Sequence, residues 1–278
     1  MKDIIDVIEQ NKIIILSPHY DDVPLTFGGY LDGLVKTGLL PSKFIRIIHI
    51  FSRSNYQARD DTGNKDISLQ RIQYATGIRL LEDLNCLDEL LGHGNYIYEI
   101  MAEKECAIRQ KIWKPGEKFE FPHGNMEHFD SGDWEIFENI RRYAKEWLVQ
   151  EDTAILLPLC VKEHIDHVIL REAVLSAWNE LKHQSRAFLY FGEDQPYTGL
   201  ADDQDWEKVE KFLSVFKLET IDYPIDEKRK MELVWKHYTT QVEESYRKGV
   251  INRAFQLKKI DKSDTGVERM YKISGKAR

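Results

Sequence analysis

Residues 12–22 read KIIILSPHYDD, an uninterrupted apolar run that changes abruptly into polar residues. The β-branched side chains of residues 12–16 are typical of a strand buried on both faces, as in a parallel sheet. Pro18 ends this run, and residues 24–35 then carry apolar side chains at helical spacing. The stretch therefore predicts a strand followed by a helix, with a concentrated group of polar residues at the junction.

The same alternation of strand and helix patterns continues along the chain. Further strands are predicted at residues 44–51, 153–159 and 187–191, and further helices at residues 68–84, 134–148 and 165–181. Such alternation predicts an α/β fold, a Rossmann-like and mainly parallel sheet flanked by helices.

Two stretches depart from the alternation. Residues 92–130 mix charge, aromatic residues, proline and glycine, which favours a long excursion or a lid-like insertion. From Asp205 onward the pattern is mostly helical, most clearly in residues 206–216 and 227–244. The charged tail beyond Lys258 is expected to pack loosely.

No linker interrupts the chain, so a single domain is expected. We divide it into an α/β core of residues 1–200 and a helical C-terminal extension of residues 201–278 that packs on the core. The sequence does not indicate an oligomeric state.

Composition excludes several classes of protein. The chain has 278 residues with 39 Lys and Arg against 47 Asp and Glu, a net charge of −8, which argues against nucleic-acid partners. Cys86, Cys106 and Cys160 are widely spaced and form no CxxC pair, so neither a disulfide framework nor a thiolate zinc site is indicated. No signal-peptide pattern or integral membrane segment is present, and a cytoplasmic protein with a small-molecule substrate is expected.

The first group of chemically active residues follows the first predicted strand. His19, Asp21 and Asp22 lie within four residues of one another. Ligands of open α/β sheets bind beyond the carboxyl ends of strands, so this position suits a functional site. His19 and Asp22, three residues apart on a turn, can face one metal ion, which leaves Asp21 free to act as a base.

The second group follows the predicted strand of residues 153–159 and begins a helix. His164 and His167, three residues apart, lie on one side of a first helical turn, and Asp166 can accept a hydrogen bond from an imidazole. Either group alone is as easily a helix cap as a site. Two such groups at strand-to-helix junctions of one sheet favour a shared site at the same rim.

These motifs resemble the PIG-L/LmbE-like de-N-acetylase family, which shows PHxDD, a small glycine pair and a later HxDH. The counterparts here are residues 18–22, Gly28-Gly29 and residues 164–167. Weaker likenesses to the family segments RxxED, EDxPY and YxSQ occur at residues 79–83, 193–197 and 238–241. The likeness spans about residues 12–241. Val23 departs from the Glu that many members carry, and this change bears on substrate contacts rather than on the metal site.

The resemblance implies a zinc-dependent hydrolase that removes an N-acyl group, chiefly acetyl, from an amino sugar or an N-acetylglucosaminyl conjugate. It implies His19, Asp22 and His167 as the zinc ligands, with a position left open for water. Iron(II), Fe2+, suits the same ligand types.

The resemblance also implies three catalytic residues. Asp21 would take a proton from water, and His164 would stabilise the oxyanion or protonate the leaving amine. Asp166 would orient one of the histidines, His164 being the expected one.

Three further residues are candidates for contact with the substrate. Arg79 could bind a sugar hydroxyl or phosphate, although a helix-surface salt bridge with Glu82 or Asp83 is an equal alternative. Glu193 and Asp194 follow a predicted strand end, which favours a role at the rim, with a simple turn as the alternative.

Two other functions stay open at this point. One is a metal-dependent amidase that cleaves a different amide of a small conjugate. The other is a catalytically silent binding protein on the same fold, which the intact set of histidines and aspartates disfavours.

Overall fold

Strands and helices alternate through the computed structural model, which describes residues 7–114, 116, 118–261 and 265–276. The strands are β1 (Lys12–Ser17), β2 (Phe44–His49), β3 (Tyr96–Ile100), β4 (Trp113–Lys114), β5 (Lys118–Phe119), β6 (Thr153–Pro158), β7 (Phe188–Gly192), β8 (Phe216–Ile225) and β9 (Gly266–Lys276). The α-helices are α1 (Asp22–Lys36), α2 (Asp61–Lys65), α3 (Leu69–Leu91), α4 (Ser131–Leu148), α5 (Ile165–Leu181), α6 (Asp203–Leu213), α7 (Glu227–His237) and α8 (Glu244–Asp261).

The main sheet of the described residues has seven strands in the order β3-β2-β1-β6-β7-β9-β8. The five strands from β3 to β7 in this order are parallel, whereas β9 runs antiparallel to both β7 and β8. Ile15 of β1 aligns with Leu156 of β6, so the carboxyl ends of these two strands are neighbours. The predicted Rossmann-like, mainly parallel sheet is confirmed.

Helices cover both faces of the sheet, which explains the continuous apolar runs. Ile13 and Ile15 of β1 belong to a core on one face, while Ile14 and Leu16 belong to the core on the other. All four are 3% exposed or less, and burying each such side chain contributes about 1.5–3 kcal/mol. Among the described residues, no helix combines the length and apolarity that crossing a membrane requires.

The chain after residue 200 contains strands as well as the expected helices. Helical structure breaks after His237, so the pattern of residues 227–244 covers α7 and a turn before α8. The expectation of a loosely packed tail beyond Lys258 is wrong for β9, which lies between β7 and β8. Arg269 of β9 pairs across the strands with Asp222 of β8, and Glu268 is buried and pairs with Lys230 of α7.

Candidate metal-binding active site

The two groups of polar residues meet at the carboxyl ends of β1 and β6. His19 lies in the turn between β1 and α1, and His164 and His167 lie at the start of α5. The ring centroid of His19 is 5.3 Å from that of His167 and 5.0 Å from that of His164. His164 and His167 are 4.8 Å apart by the same measure. Distant parts of the chain therefore place three imidazoles in one cluster.

His19, Asp22 and His167 form a group that could hold a metal ion, since their ligand atoms all lie within 4.8 Å of one another. Oδ2 of Asp22 is 3.1 Å from Nδ1 of His19 and 3.4 Å from Nε2 of His167. This Nε2 is buried and makes no hydrogen bond within the described residues. Two imidazole nitrogens and one carboxylate are a usual donor set of catalytic zinc, so the residues fit the metal.

The other nitrogen of each of these two imidazoles is held by a carboxylate. His19 Nε2 lies 2.9 Å from Oδ2 of Asp166, and His167 Nδ1 lies 3.0 Å from Oδ2 of Asp194. Such contacts fix the tautomer and orientation of imidazole ligands. Asp166 thus contacts His19, and not His164 as the sequence led us to expect, because His164 precedes α5 and turns toward Cys106, whose Sγ is 3.9 Å away.

Asp166 is itself held by the segment that follows β3. The backbone N–H of Cys106 donates to Oδ2 of Asp166 at 2.9 Å, and the Arg109 guanidinium pairs with Oδ1. The same guanidinium pairs with Asp133 in the first turn of α4. We call this arrangement of Arg109 with Asp133 and Asp166 the Arg109 bridge. No local sequence pattern signals it, because its partners lie in three separate elements.

Asp21 lies beside the metal-binding group without belonging to it. It precedes α1, is 6% exposed and lines the cavity described below. Burial, together with the charge of Asp22, raises the pKa of Asp21 to about 6, while Arg79 acts in the opposite direction. For Asp22 burial acts against the charged form, yet the charges of His167 and His19 hold its pKa well below the usual range. The pKa values of these two adjacent carboxyl groups are therefore shifted in opposite directions.

His164, beside His19 and His167, has a ring nitrogen that is not engaged by its described neighbours. Its Nδ1 is buried and has no hydrogen-bond partner in the described part of the chain. The rings of Phe121 and Tyr197 lie 5.5 and 6.1 Å from its ring. Burial, followed by the positive charges of His167 and His19, lowers the pKa of His164 well below its ordinary value. A neutral imidazole at this position can donate or accept one proton.

The loop that carries His164 is strained. Cys160, Lys162 and Glu163 have φ angles of 66°, 66° and 53°, in the left-handed region that favours glycine. Each costs of order 1 kcal/mol or more and persists only when the surroundings enforce it. Here the Asp194 carboxylate accepts the Val161 N–H at 3.0 Å and thereby holds the loop. Strain of this kind is concentrated at functional sites.

A cavity of about 350 Å³ opens in front of these residues. Its volume falls within the range of small-molecule sites, about 300–1,000 Å³. One part of the lining is apolar and comes mostly from the 92–130 excursion and the segment after β7: Ile112, Phe119, Phe121, Tyr197 and Leu200. Another part is polar and includes Gln195, Gln241, Glu243 and Ser245.

Arg79 lines this cavity and is only 3% exposed, so it is not a surface residue. Its guanidinium donates to Glu105 at 2.7 Å, to Gln241 Oε1 at 2.7 Å and to Ser54 Oγ at 2.6 Å. Its Nη2 lies 3.8 Å from Oδ1 of Asp21. Within the described part of the chain, Arg79 pairs with Glu105 and Asp21, and not with Glu82 or Asp83. Sequence reasoning missed Glu105, for which the irregular excursion gives no signal.

Glu193 and Asp194 are buried and are not among the residues that line the cavity. Glu193 accepts two hydrogen bonds of 2.6 Å from Arg253 and one of 3.0 Å from the Tyr271 hydroxyl. Asp194 binds His167 and the Val161 N–H. Both carboxylates are engaged by protein groups, so the structure gives no contact that supports the substrate role predicted for them.

No family model and no curated protein matches the chain. Among solved structures it is similar to the A40926 pseudoaglycone deacetylase Dbv21, with 19% identity and a TM-score of 0.65 over 97% of this chain and 100% of that one. A zinc-inhibited form of the teicoplanin deacetylase Orf2 aligns with 16% identity and a TM-score of 0.64 over 96% and 98% of the two chains. The N,N'-diacetylchitobiose deacetylase from Pyrococcus horikoshii aligns with 11% identity and a TM-score of 0.53 over 96% and 85%. The chain therefore has the fold of these deacetylases, as the PIG-L/LmbE-like resemblance implies.

Proposed function

We propose that the protein is a zinc-dependent hydrolase that removes an N-acyl group, acetyl in the first instance, from an amino sugar or an N-acetylglucosaminyl conjugate. The observation that carries the proposal is one arrangement: His19, Asp22 and His167 converge, and Asp21 stays free beside them at a cavity. The deacetylases of the same fold, one of which acts on N,N'-diacetylchitobiose, support it.

Zinc would be held by Nδ1 of His19, a carboxylate oxygen of Asp22 and Nε2 of His167, the atoms that face one another. When bound there, zinc polarises the amide carbonyl and acidifies a water molecule. Iron(II) suits these ligands as well. Asp166 and Asp194 would keep the two imidazoles oriented toward the ion and fix their tautomers.

The remaining residues would move protons and stabilise charge. Asp21 would accept a proton from the attacking water, because its carboxylate lines the cavity and is not engaged by either imidazole of the metal-binding group. His164, whose Nδ1 is unpaired, would stabilise the oxyanion or deliver a proton to the leaving amine. The guanidinium of Arg79, which lies 3.8 Å from the Asp21 carboxylate, would hold Asp21 in position. Glu105 and Gln241 accept hydrogen bonds from the same guanidinium and would keep it in place.

A related amidase activity on a larger acyl group is the second candidate. The apolar side chains Ile112, Phe119 and Phe121 in the cavity wall favour it, since an acetyl group alone would not fill the space they border. The catalytic residues would be the same. A panel of N-acyl glucosamines with chains of increasing length separates the two activities by kcat/KM.

The decisive experiment measures metal and turnover together. Purified protein should contain about one zinc per chain and release acetate from N-acetylglucosaminides. Asp21→Asn should retain the metal and lose turnover by at least about 100-fold, the usual scale of general base catalysis. Asp32→Asn, in the helix α1 that follows Asp21 and paired with Lys36, is the matched control and should behave like the parent.

Absence of bound metal at neutral pH, or full activity in Asp21→Asn, would refute the proposal. We further propose a cytoplasmic enzyme with a small-molecule substrate and no nucleic-acid partner. The net charge of −8 supports the last point, because nucleic-acid interfaces depend on Lys and Arg.

A further inference from the structure

Gln195 places a buried side-chain oxygen without a hydrogen-bond partner at the wall of the cavity. The residue is 4% exposed and lines the cavity, and its Oε1 is buried with no hydrogen-bond partner among the described residues. A buried polar atom without a partner costs about 1–3 kcal/mol. Such a group at the wall of a ligand cavity indicates a partner that arrives with the ligand.

The backbone around Gln195 is fixed close to the metal-binding group. Asp194, the preceding residue, holds His167 Nδ1, and its carbonyl oxygen accepts hydrogen bonds from the Thr198 hydroxyl at 2.7 Å and the Thr198 N–H at 3.1 Å. Tyr197, two residues on, has its ring 5.7 Å from that of His167. The backbone that carries Gln195 is therefore held close to the metal-binding group by contacts of its neighbours, before any ligand binds.

The second glutamine of the cavity behaves differently. Gln241 accepts a hydrogen bond from Arg79 at 2.7 Å and donates one to Glu82 at 2.9 Å, so protein groups satisfy both ends of its amide. Gln241 thus supports the cavity wall. The side-chain oxygen of Gln195, by contrast, accepts no hydrogen bond from any described residue.

The chemistry of the group indicates what it recognises. A carboxamide is neutral and offers both an acceptor and donors, which complements a hydroxyl group. Four carboxyl groups of described residues line the cavity, from Asp21, Asp22, Glu105 and Glu243, against the two cations Arg79 and Lys162, and this excess of negative charge disfavours an anionic substituent. We propose that Gln195 is a specificity-determining residue that hydrogen-bonds a hydroxyl of the substrate next to the scissile amide. The inference deepens the proposed function and rests on it.

The test compares Gln195→Leu with the parent on N-acetylglucosamine and its monodeoxy analogues. In zinc-loaded protein we expect kcat/KM for N-acetylglucosamine to fall roughly five- to tenfold, the scale of one neutral hydrogen bond. One deoxy analogue should be a poor substrate for the parent, and Gln195→Leu should no longer distinguish it from N-acetylglucosamine. Gln184→Leu, an exposed glutamine outside the cavity, is the control.

The melting temperature distinguishes substrate recognition from a structural role, because the two roles predict changes in opposite directions. Gln195→Leu removes an unpaired buried polar group, so its melting temperature should equal or exceed that of the parent, while Gln241→Leu should melt lower. Zinc content should be unchanged in Gln195→Leu. A lowered melting temperature with unaltered discrimination among the analogues would overturn the inference.

Binding measured by calorimetry with N-acetylglucosamine separates this inference from the proposed function. If the parent binds the sugar without hydrolysing it, and Gln195→Leu binds it more weakly, the hydrolase proposal fails and the role of Gln195 stands. If the parent hydrolyses it and Gln195→Leu matches the parent on every analogue, the role of Gln195 fails and the hydrolase stands. If the parent neither binds nor hydrolyses any hydroxylated amide, both fail.

Discussion

Replacement of Arg109 by Met should weaken both the fold and the zinc site, because the Arg109 bridge holds two buried carboxylates. Asp133 and Asp166 are 0% exposed, and loss of one partner from a buried ion pair costs about 3–5 kcal/mol. Asp133 keeps Lys111 at 2.9 Å, and Asp166 keeps the Cys106 N–H, so we expect the lower end, about 3 kcal/mol. Urea denaturation measures this free energy of unfolding.

The same replacement should reduce zinc affinity, since Asp166 orients His19. Loss of a group that supports a metal ligand costs about 10- to 100-fold in affinity. Competition with a chelator measures it on folded protein below the denaturation midpoint. Arg141→Met is the matched control: Arg141 pairs with Glu138 and Glu180 at the surface, where pairs contribute up to about 1 kcal/mol, and zinc affinity should not change. An Arg109→Met protein that binds zinc as tightly as the parent would refute the link from the bridge to His19.

Three further predictions follow from the same structure. Asp194→Asn should lower zinc affinity about tenfold, because His167 loses a charged acceptor, and chelator competition measures it. Saturating zinc at about 100 times its Kd should stabilise the protein by about 2.7 kcal/mol, and removing it with a chelator should reverse the rise in melting temperature. Gly199→Ala should lower the free energy of unfolding by at least about 1–3 kcal/mol, because its Cβ would lie 1.7 Å from the Gly249 carbonyl oxygen. Gly77→Ala, with open space around its Cβ, should instead stabilise helix α3 by about 0.5–1 kcal/mol, and urea denaturation measures both changes.

The sequence predicts the centre of the sheet well and its antiparallel edge poorly. Strands such as β1 and β6 are buried on both faces, so their apolar runs are continuous and easily identified. β8 and β9 alternate apolar with charged residues, and the charges of Arg269 and Asp222 neutralise each other only once the strands pair. A long-range contact of this kind leaves no local pattern.

The candidate site likewise has one part that the sequence predicts and another that it does not. The positions of His19 and His167 follow from two strand-to-helix junctions on neighbouring strands, and topology brings them together. The partners of Asp166 and Asp194 do not follow, because spacing along the chain shows which residues are near in sequence and says nothing of what approaches from another element. For that reason the sequence does not predict the Arg109 bridge or the unpaired side-chain oxygen of Gln195.

The difference between the neighbouring carboxyls Asp21 and Asp22 gives the sharpest test of the assignment. Oδ2 of Asp22 faces the ring nitrogens Nδ1 of His19 and Nε2 of His167, and it also accepts a hydrogen bond from the backbone N–H of His19 at 2.8 Å. Asp22→Asn therefore removes the negatively charged ligand and should abolish tight zinc binding. Asp21→Asn should leave zinc affinity within about threefold of the parent, because Asp21 faces Arg79 and the cavity instead. Buried carboxylates need a cationic partner, and the ion would serve Asp22 where Arg79 serves Asp21. Equal losses of zinc in the two variants, measured by chelator competition, would show that both carboxyls bind the metal and that the base must be sought elsewhere.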